Sequence, residues 1–189
     1  IQAGVFMPLD KAKIPNLANM DPEIQANIAK LDPGNTHSVN YLWGTTGIGY
    51  NVKKIKEIFG DAAPTDSWAL VFDPVNLAKL KECGVYMLDT PSEIIPPVLK
   101  FLGEDPNSFD PVVIAKAEAR LKELRPYITQ FHSSEYINAL ANGDACVAVG
   151  WSGDIFQAAT RAEEANNGVE IAYVIPKEGA LKWFDLFAI

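Results

Sequence analysis

Apolar and polar positions alternate with two different periods along this chain, and the changes of period mark out a series of helices and strands. Asp21-Pro22 followed by Ile24, Ile28 and Leu31 predicts a short helix with an acceptor at its cap and proline at its first position, and Asp32-Pro33-Gly34-Asn35 stops it. Val39 to Tyr50 then reads as an extended segment rich in aromatic, β-branched and glycine residues. Val52, Ile55, Ile58 and Phe59 predict a helix ended by Gly60, and a second helix includes Leu77 and Leu80 before the strand Gly84 to Leu88. Thr90-Pro91-Ser92-Glu93 matches a capping box, although Pro96-Pro97 predicts a kinked or shortened helix after it. Asp110-Pro111 opens a longer helix with Ile114, Ala117, Leu121 and Leu124 on one face, closed by Pro126.

Tyr127 to His132 reads as a strand, Tyr136 to Asn142 as a helix ended by Gly143, and Ala145 to Trp151 as a near-continuous apolar strand of the kind buried in parallel sheets. Gly153 to Asn166 is predicted helical and Val169 to Ile175 extended, with a turn at Pro176-Lys177-Glu178-Gly179 before the strand-like run Trp183 to Ile189. This alternation predicts an α/β domain whose mostly parallel sheet is covered by helices. No repeat, low-complexity tract or flexible linker interrupts it.

Composition changes the picture in two respects. A chain of 189 residues with 48% hydrophobic and 21% charged residues buries about 70% of its unfolded surface, and its apolar runs fall short of the ~20 residues of a membrane span, so a soluble globular fold is expected. The 24 acidic against 16 basic residues give a net charge of -8, which argues against nucleic acid or anionic lipid as a partner and fits a cationic one. The chain opens at Ile1 without Met and stops at Ile189 inside an apolar run, and both ends read as those of a fragment. Cys83 and Cys146 each lie beside a strand-like run, which is compatible with a bridge between neighbouring strands and equally with two buried thiols.

Enzyme readings fail on their spacing. Gly150-Trp151-Ser152-Gly153-Asp154 lies between a strand and a helix, where a hydrolase places a G-x-S-x-G elbow, but Asp154 stands where the last glycine is required. An α/β hydrolase using Ser152 with His132 as base is therefore only a distant alternative. Gly44-Thr45-Thr46-Gly47-Ile48-Gly49 suggests a phosphate loop, yet no Gly-Lys-Ser/Thr follows and the dinucleotide fingerprint is absent, so its glycines read as a bend or a close backbone approach. The two histidines and two cysteines are scattered without metal-ligand spacing. No catalytic residue, cofactor or metal is expected.

What recurs is an aromatic residue close to a carboxylate after an apolar strand: Trp151 with Asp154, and Trp183 with Asp185. Carboxylates flanked by indole faces suit organic ammonium groups, because a ring face attracts a cation by ~0.5–2 kcal/mol and a carboxylate accepts a charge-assisted N–H bond. The competing structural reading has Asp154 capping the helix after Trp151 and both indoles in the core.

The strings Trp43 to Asn51 (WGTTGIGYN), Phe131 to Ser134 (FHSS), Leu140 to Asp144 (LANGD), Val149 to Asp154 (VGWSGD), Ile175 to Gly179 (IPKEG) and Trp183 to Asp185 (WFD) together resemble the periplasmic polyamine-binding proteins of bacterial ABC importers, in order and over the whole chain. The resemblance implies a type II solute-binding fold, two α/β lobes joined by crossing strands with putrescine or spermidine clamped between them, and one lobe largely missing here. It implies that residues 1–38 are the tail end of the first lobe, 39–50 the first crossing strand, 51–183 the second lobe and 184–189 the return strand. It implies ligand contacts at Trp151, Asp154, Trp183, Asp185 and, after a one-residue gap, Glu93, although Glu93 is also the acid of the capping box. It further implies a Cys83–Cys146 disulfide, a periplasmic location, and a permease and an ATPase as partners, with no nucleic acid. Trp183 resembles the spermidine-preferring members, whereas the other strings are as similar to the putrescine receptors. A polyamine sensor without a transport role is a further alternative.

Overall fold

The apolar run after Ala145 forms β4 (Val147–Trp151), in which Val147, Ala148 and Val149 are fully buried. The computed structural model describes residue 1 and residues 3–189. Around β4 lie β1 (Ser38–Asn51), β2 (Val85–Met87), β3 (Gln130–Phe131) and β5 (Ile171–Val174), in the sheet order β3-β2-β4-β1-β5, and β6 (Leu181–Ala188) pairs with β1 off this path. The expected α/β class holds, and the sheet is mixed. β2 runs parallel to β3 and β4, whereas β1 runs antiparallel to β4 and β5. β1 does not reach the sheet through a strand-helix-strand crossover, so the rule that makes such neighbours parallel does not act on it.

Helices flank this sheet, and short polar signals set their starts. Asp-Pro pairs open α1 (Pro22–Ile28), α4 (Pro74–Leu80) and α6 (Pro111–Leu124), where Asp21 accepts from the Glu23 N–H at 2.8 Å, Asp73 from Val75 at 2.8 Å and Asp110 from Val112 at 2.8 Å. Asn51 caps α2 (Val52–Phe59) by accepting from the Lys54 N–H at 3.1 Å. The remaining α-helices are α3 (Ala69–Phe72), α5 (Pro91–Phe101), α7 (Glu135–Asn142) and α8 (Ser152–Ala165). Trp68, Phe72, Leu77, Leu80, Met87 and Leu99 are fully buried in the core against the sheet.

Two local expectations fail at α5. The capping box does not form, since the Thr90 side chain makes no cap hydrogen bond and the Glu93 carboxylate takes a proton donor from β1 instead. Nor do Pro96 and Pro97 break the helix, which runs on to Phe101. Each proline forfeits one helical N–H bond, but the same turns bury Ile94, Pro97, Val98 and Leu99, and that packing offsets the loss.

The chain divides into two compact units, residues 1–44 with 182–189 and residues 45–181. In the larger one, the Cys146 N–H donates to Gly84 O at 2.9 Å, which draws the starts of β4 and β2 together, and Cys83 and Cys146 are joined by a disulfide with Cα atoms 5.4 Å apart. In the smaller one, Asp32 is fully buried and accepts from the backbone of His37 at 2.9 Å and Ser38 at 3.0 Å, and from the Ser38 hydroxyl at 2.8 Å. Burial opposes the charged form, but the bonds from His37, Ser38 and Thr36 outweigh it and hold this carboxyl well below the usual carboxylate range. Among the described residues no helix is long and apolar enough to cross a membrane.

Two outcomes follow from these features. The bridge spans 63 residues of sequence, so its reduction removes up to about 4 kcal/mol of loop-closure stabilisation; denatured, unreduced protein shows no titratable thiol, and reduction lowers the melting temperature. Asp32 binds protons less readily folded than unfolded, so its contribution is complete above the unfolded value of about 3.9 and disappears as the pH falls below it. Thermal unfolding between pH 5 and pH 2.5 shows this as a steeper loss for the parent than for Asp32→Asn, whose stability is lower at neutral pH.

Candidate functional site

The glycines of β1 decide what can lie on the sheet. A Cβ at Gly47 would stand 2.5 Å from both the Tyr173 hydroxyl and Val174 O, so only glycine admits Tyr173 of β5 at this point. Tyr173 donates to Thr45 O at 3.0 Å and lies 2.6 Å from the Thr45 hydroxyl. Burial raises its phenol above the ordinary value, with the Thr45 hydrogen bond working the other way, so it acts as a neutral donor. Thr46 is buried, pairs with Trp151 across the β1–β4 ladder, and donates its hydroxyl to Glu93 Oε2. The glycine-rich segment expected to bend or to approach other backbone closely therefore does the second.

Gly150 repeats the device on β4. A Cβ there would meet the Tyr136 ring at 2.6 Å, and the ring of this fully buried tyrosine occupies the place. Its hydroxyl accepts from the Trp151 N–H at 3.2 Å and donates to Asp154 Oδ2 at 2.7 Å. Burial, reinforced by the bond to Asp154, pushes the phenol well above its ordinary value. Asp154 does not cap α8, whose N-cap is Trp151, and instead stands half-buried in the first turn of that helix.

The five residues singled out by sequence fall on both units. Glu93, Trp151 and Asp154 lie in the larger one, linked through Thr46, the β1–β4 ladder and Tyr136. Trp183 and Asp185 lie on β6 in the smaller one. Trp183 is half-buried and its indole N–H finds no acceptor among the described residues; Asp185 is exposed and its backbone carbonyl accepts from Asn40 at 3.2 Å. None of the ion pairs among the described residues includes Glu93, Asp154 or Asp185. Among the described residues Glu93 and Asp154 accept from the neutral hydroxyls of Thr46 and Tyr136. Thr45, Thr46, Tyr136 and Tyr173 were missed from sequence. For Tyr136 and Tyr173 the available signal was the glycine that makes room for each ring, Gly150 and Gly47, since a glycine in a buried strand marks a close neighbour; Thr45 and Thr46 carried none.

The hydrolase geometry does not assemble. Ser152 Oγ accepts the Thr45 N–H at 3.3 Å, and His132 Nδ1 accepts the N–H groups of Ser134 and Glu135, each at 3.1 Å, at the start of α7.

A mixed sheet flanked by helices is the architecture of the type II solute-binding fold. The family model for bacterial extracellular solute-binding proteins matches residues 1–189, and the chain belongs to that family of substrate-binding proteins, which are not enzymes. It is 53% identical over its whole length to the putrescine-binding periplasmic protein SpuD of Pseudomonas aeruginosa, covering 52% of that protein, and 54% identical to the putrescine-binding periplasmic protein PotF of Escherichia coli, covering 51%. The chain thus spans about half the length of the curated relatives it matches. Among solved structures, it resembles a putative spermidine/putrescine ABC transporter protein from Listeria monocytogenes with a TM-score of 0.78 and 31% identity, over 100% of this chain and 52% of that one.

Adding one methyl group tests the close approach at β1. Gly47→Ala forces Tyr173 or the β5 backbone away and should destabilise the protein by about 1–3 kcal/mol, read as a lower melting temperature.

Proposed function

We propose that this chain is part of an extracytoplasmic receptor that captures a polyamine, putrescine or spermidine, and delivers it to an ABC importer. The observation that carries the reading is that Glu93 and Asp154 accept from the neutral hydroxyls of Thr46 and Tyr136 and that, among the described residues, neither they nor Asp185 form an ion pair, while Trp151 and Trp183 stand three and two positions before Asp154 and Asp185 in sequence. An ammonium group presents three N–H donors to such oxygens, and the methylene chain between two ammonium groups offers an apolar surface to indole faces. In this reading residues 51–183 form the second lobe, 39–50 and 184–189 are the crossing strands, and 1–38 end the first lobe. The ligand is held by Trp151, Asp154, Trp183, Asp185 and Glu93. Glu93 gains weight because its carboxylate faces Thr46 and is not spent on a helix cap.

Relatives named as putrescine-binding are 53% and 54% identical to this chain, while one named as spermidine/putrescine-binding, from Salmonella typhimurium, is 32% identical, and this favours putrescine as the first ligand. Trp183 favours the longer triamine, so both ligands belong in the test. The names of these relatives support the periplasm as the compartment and an ABC transporter as the assembly, in which this reading makes a membrane permease and an ATPase the partners.

Calorimetric titration of the intact protein with putrescine, cadaverine, spermidine and spermine tests the reading, and a polyamine should bind saturably with one site per molecule. Asp185→Asn keeps the shape and removes the charge, so the affinity should fall by about 2–5 kcal/mol, as expected when one partner of a desolvated charge pair is lost. An unchanged dissociation constant removes Asp185 from the site, and the absence of binding by every polyamine removes the function.

A further inference from the structure

We infer that Tyr136 is a positioning residue for the ligand carboxylate, setting Asp154 and Trp151 in one fixed relation through a single hydroxyl; this rests on the polyamine reading above. The ring is fully buried in the space left by Gly150, where any Cβ would approach Cε2 to 2.6 Å, so its place on β4 is fixed by packing. From there the hydroxyl accepts the Trp151 N–H at 3.2 Å and donates to Asp154 Oδ2 at 2.7 Å. One oxygen atom therefore ties the last residue of β4 to the first turn of α8, and both tied residues are proposed ligand contacts.

The choice of donor matters chemically. A lysine or arginine in this place would orient Asp154 equally well and cancel the charge that an ammonium group needs. A buried phenol, held protonated, restrains Asp154 through Oδ2 and leaves its charge uncompensated. The helix that carries Tyr136 is itself anchored, because His132 Nδ1 accepts the N–H groups of Ser134 and Glu135 at 3.1 Å and so fixes the start of α7 one residue before the tyrosine. A tyrosine serving only as core would also need partners for its buried hydroxyl, but its replacement by phenylalanine would change stability and leave ligand affinity untouched.

The test is a double-mutant cycle in the intact protein, read by calorimetric titration with putrescine, with melting temperatures recorded alongside. Tyr136→Phe should weaken putrescine about 3- to 10-fold, the factor a single hydrogen bond supplies. In an Asp154→Ala background the same change should cost clearly less, because the part of its effect that runs through Asp154 is already lost. Replacing Tyr136 by 4-aminophenylalanine, which restores a donor at the same point, should recover most of the affinity. Gly150→Ala, which crowds the ring and shifts the hydroxyl, should weaken binding in the same range and stands in should Tyr136→Phe not fold. Putrescine affinity within twofold of the parent for Tyr136→Phe, or an equal loss with and without Asp154, overturns the positioning role while the functional reading stands. A parent protein that binds no polyamine overturns both.

Discussion

The site depends on how closely other parts of the fold come to the glycines of two adjacent strands. Gly47 admits Tyr173, Gly49 admits Ile155 at a point where a Cβ would be 2.7 Å from it, and Gly150 admits Tyr136. Interiors pack to crystal density, so a single added methyl at any of these positions must displace a ring, a branched side chain or backbone. The consequence is chemical as well as steric. Two neutral phenol hydroxyls are delivered to the β1 and β4 backbones, one of them reaches Asp154, and the Thr46 hydroxyl on the same strand reaches Glu93. The carboxylates are oriented without being neutralised.

That arrangement gives the net charge of -8 a local meaning. Some acids elsewhere are paired, as Glu104 with Lys116 or Glu118 with Lys122, the buried Asp32 is satisfied by backbone and hydroxyl donors, and others, such as Glu57, Glu82 and Glu164, form no ion pair among the described residues. Glu93, Asp154 and Asp185 likewise form no ion pair among the described residues, and the hydroxyls of Thr46 and Tyr136 orient the first two. In the proposed role the missing cation is the ligand itself, and closure around it would strengthen each contact by removing water.

Much of this was legible in the chain. The Asp-Pro pairs at Asp21 and Asp110 marked helix starts because their side chains accept the first free N–H groups, and the spacing of Val52, Ile55, Ile58 and Phe59 placed α2 to the residue, whereas the same signal at Asp73-Pro74, which opens α4, went unread. The direction of β1 was not legible, since its buried stretch from Gly44 to Asn51 carries the same pattern parallel or antiparallel. Glu93 was ambiguous because a capping box and a ligand carboxylate place the same residue at the same point, and only the third dimension, which brings Thr46 to it, separates the two. Tyr136 was read as the start of a helix, its hydroxyl unassigned, because its partners lie fifteen and eighteen residues further on in sequence. Trp151, Asp154, Trp183 and Asp185 were legible as pairs, through the recurrence of an indole and an acid after an apolar strand.

The central claim is that separate carboxylates hold the two ends of a diammonium ligand. Titrating the intact protein with putrescine and with 1-aminobutane, which has the same four-carbon chain and one ammonium group, tests it most directly. The account predicts that 1-aminobutane binds at least about 30-fold more weakly, since the carboxylate facing the lost ammonium is then desolvated without a partner. Equal affinities for the two amines would contradict it.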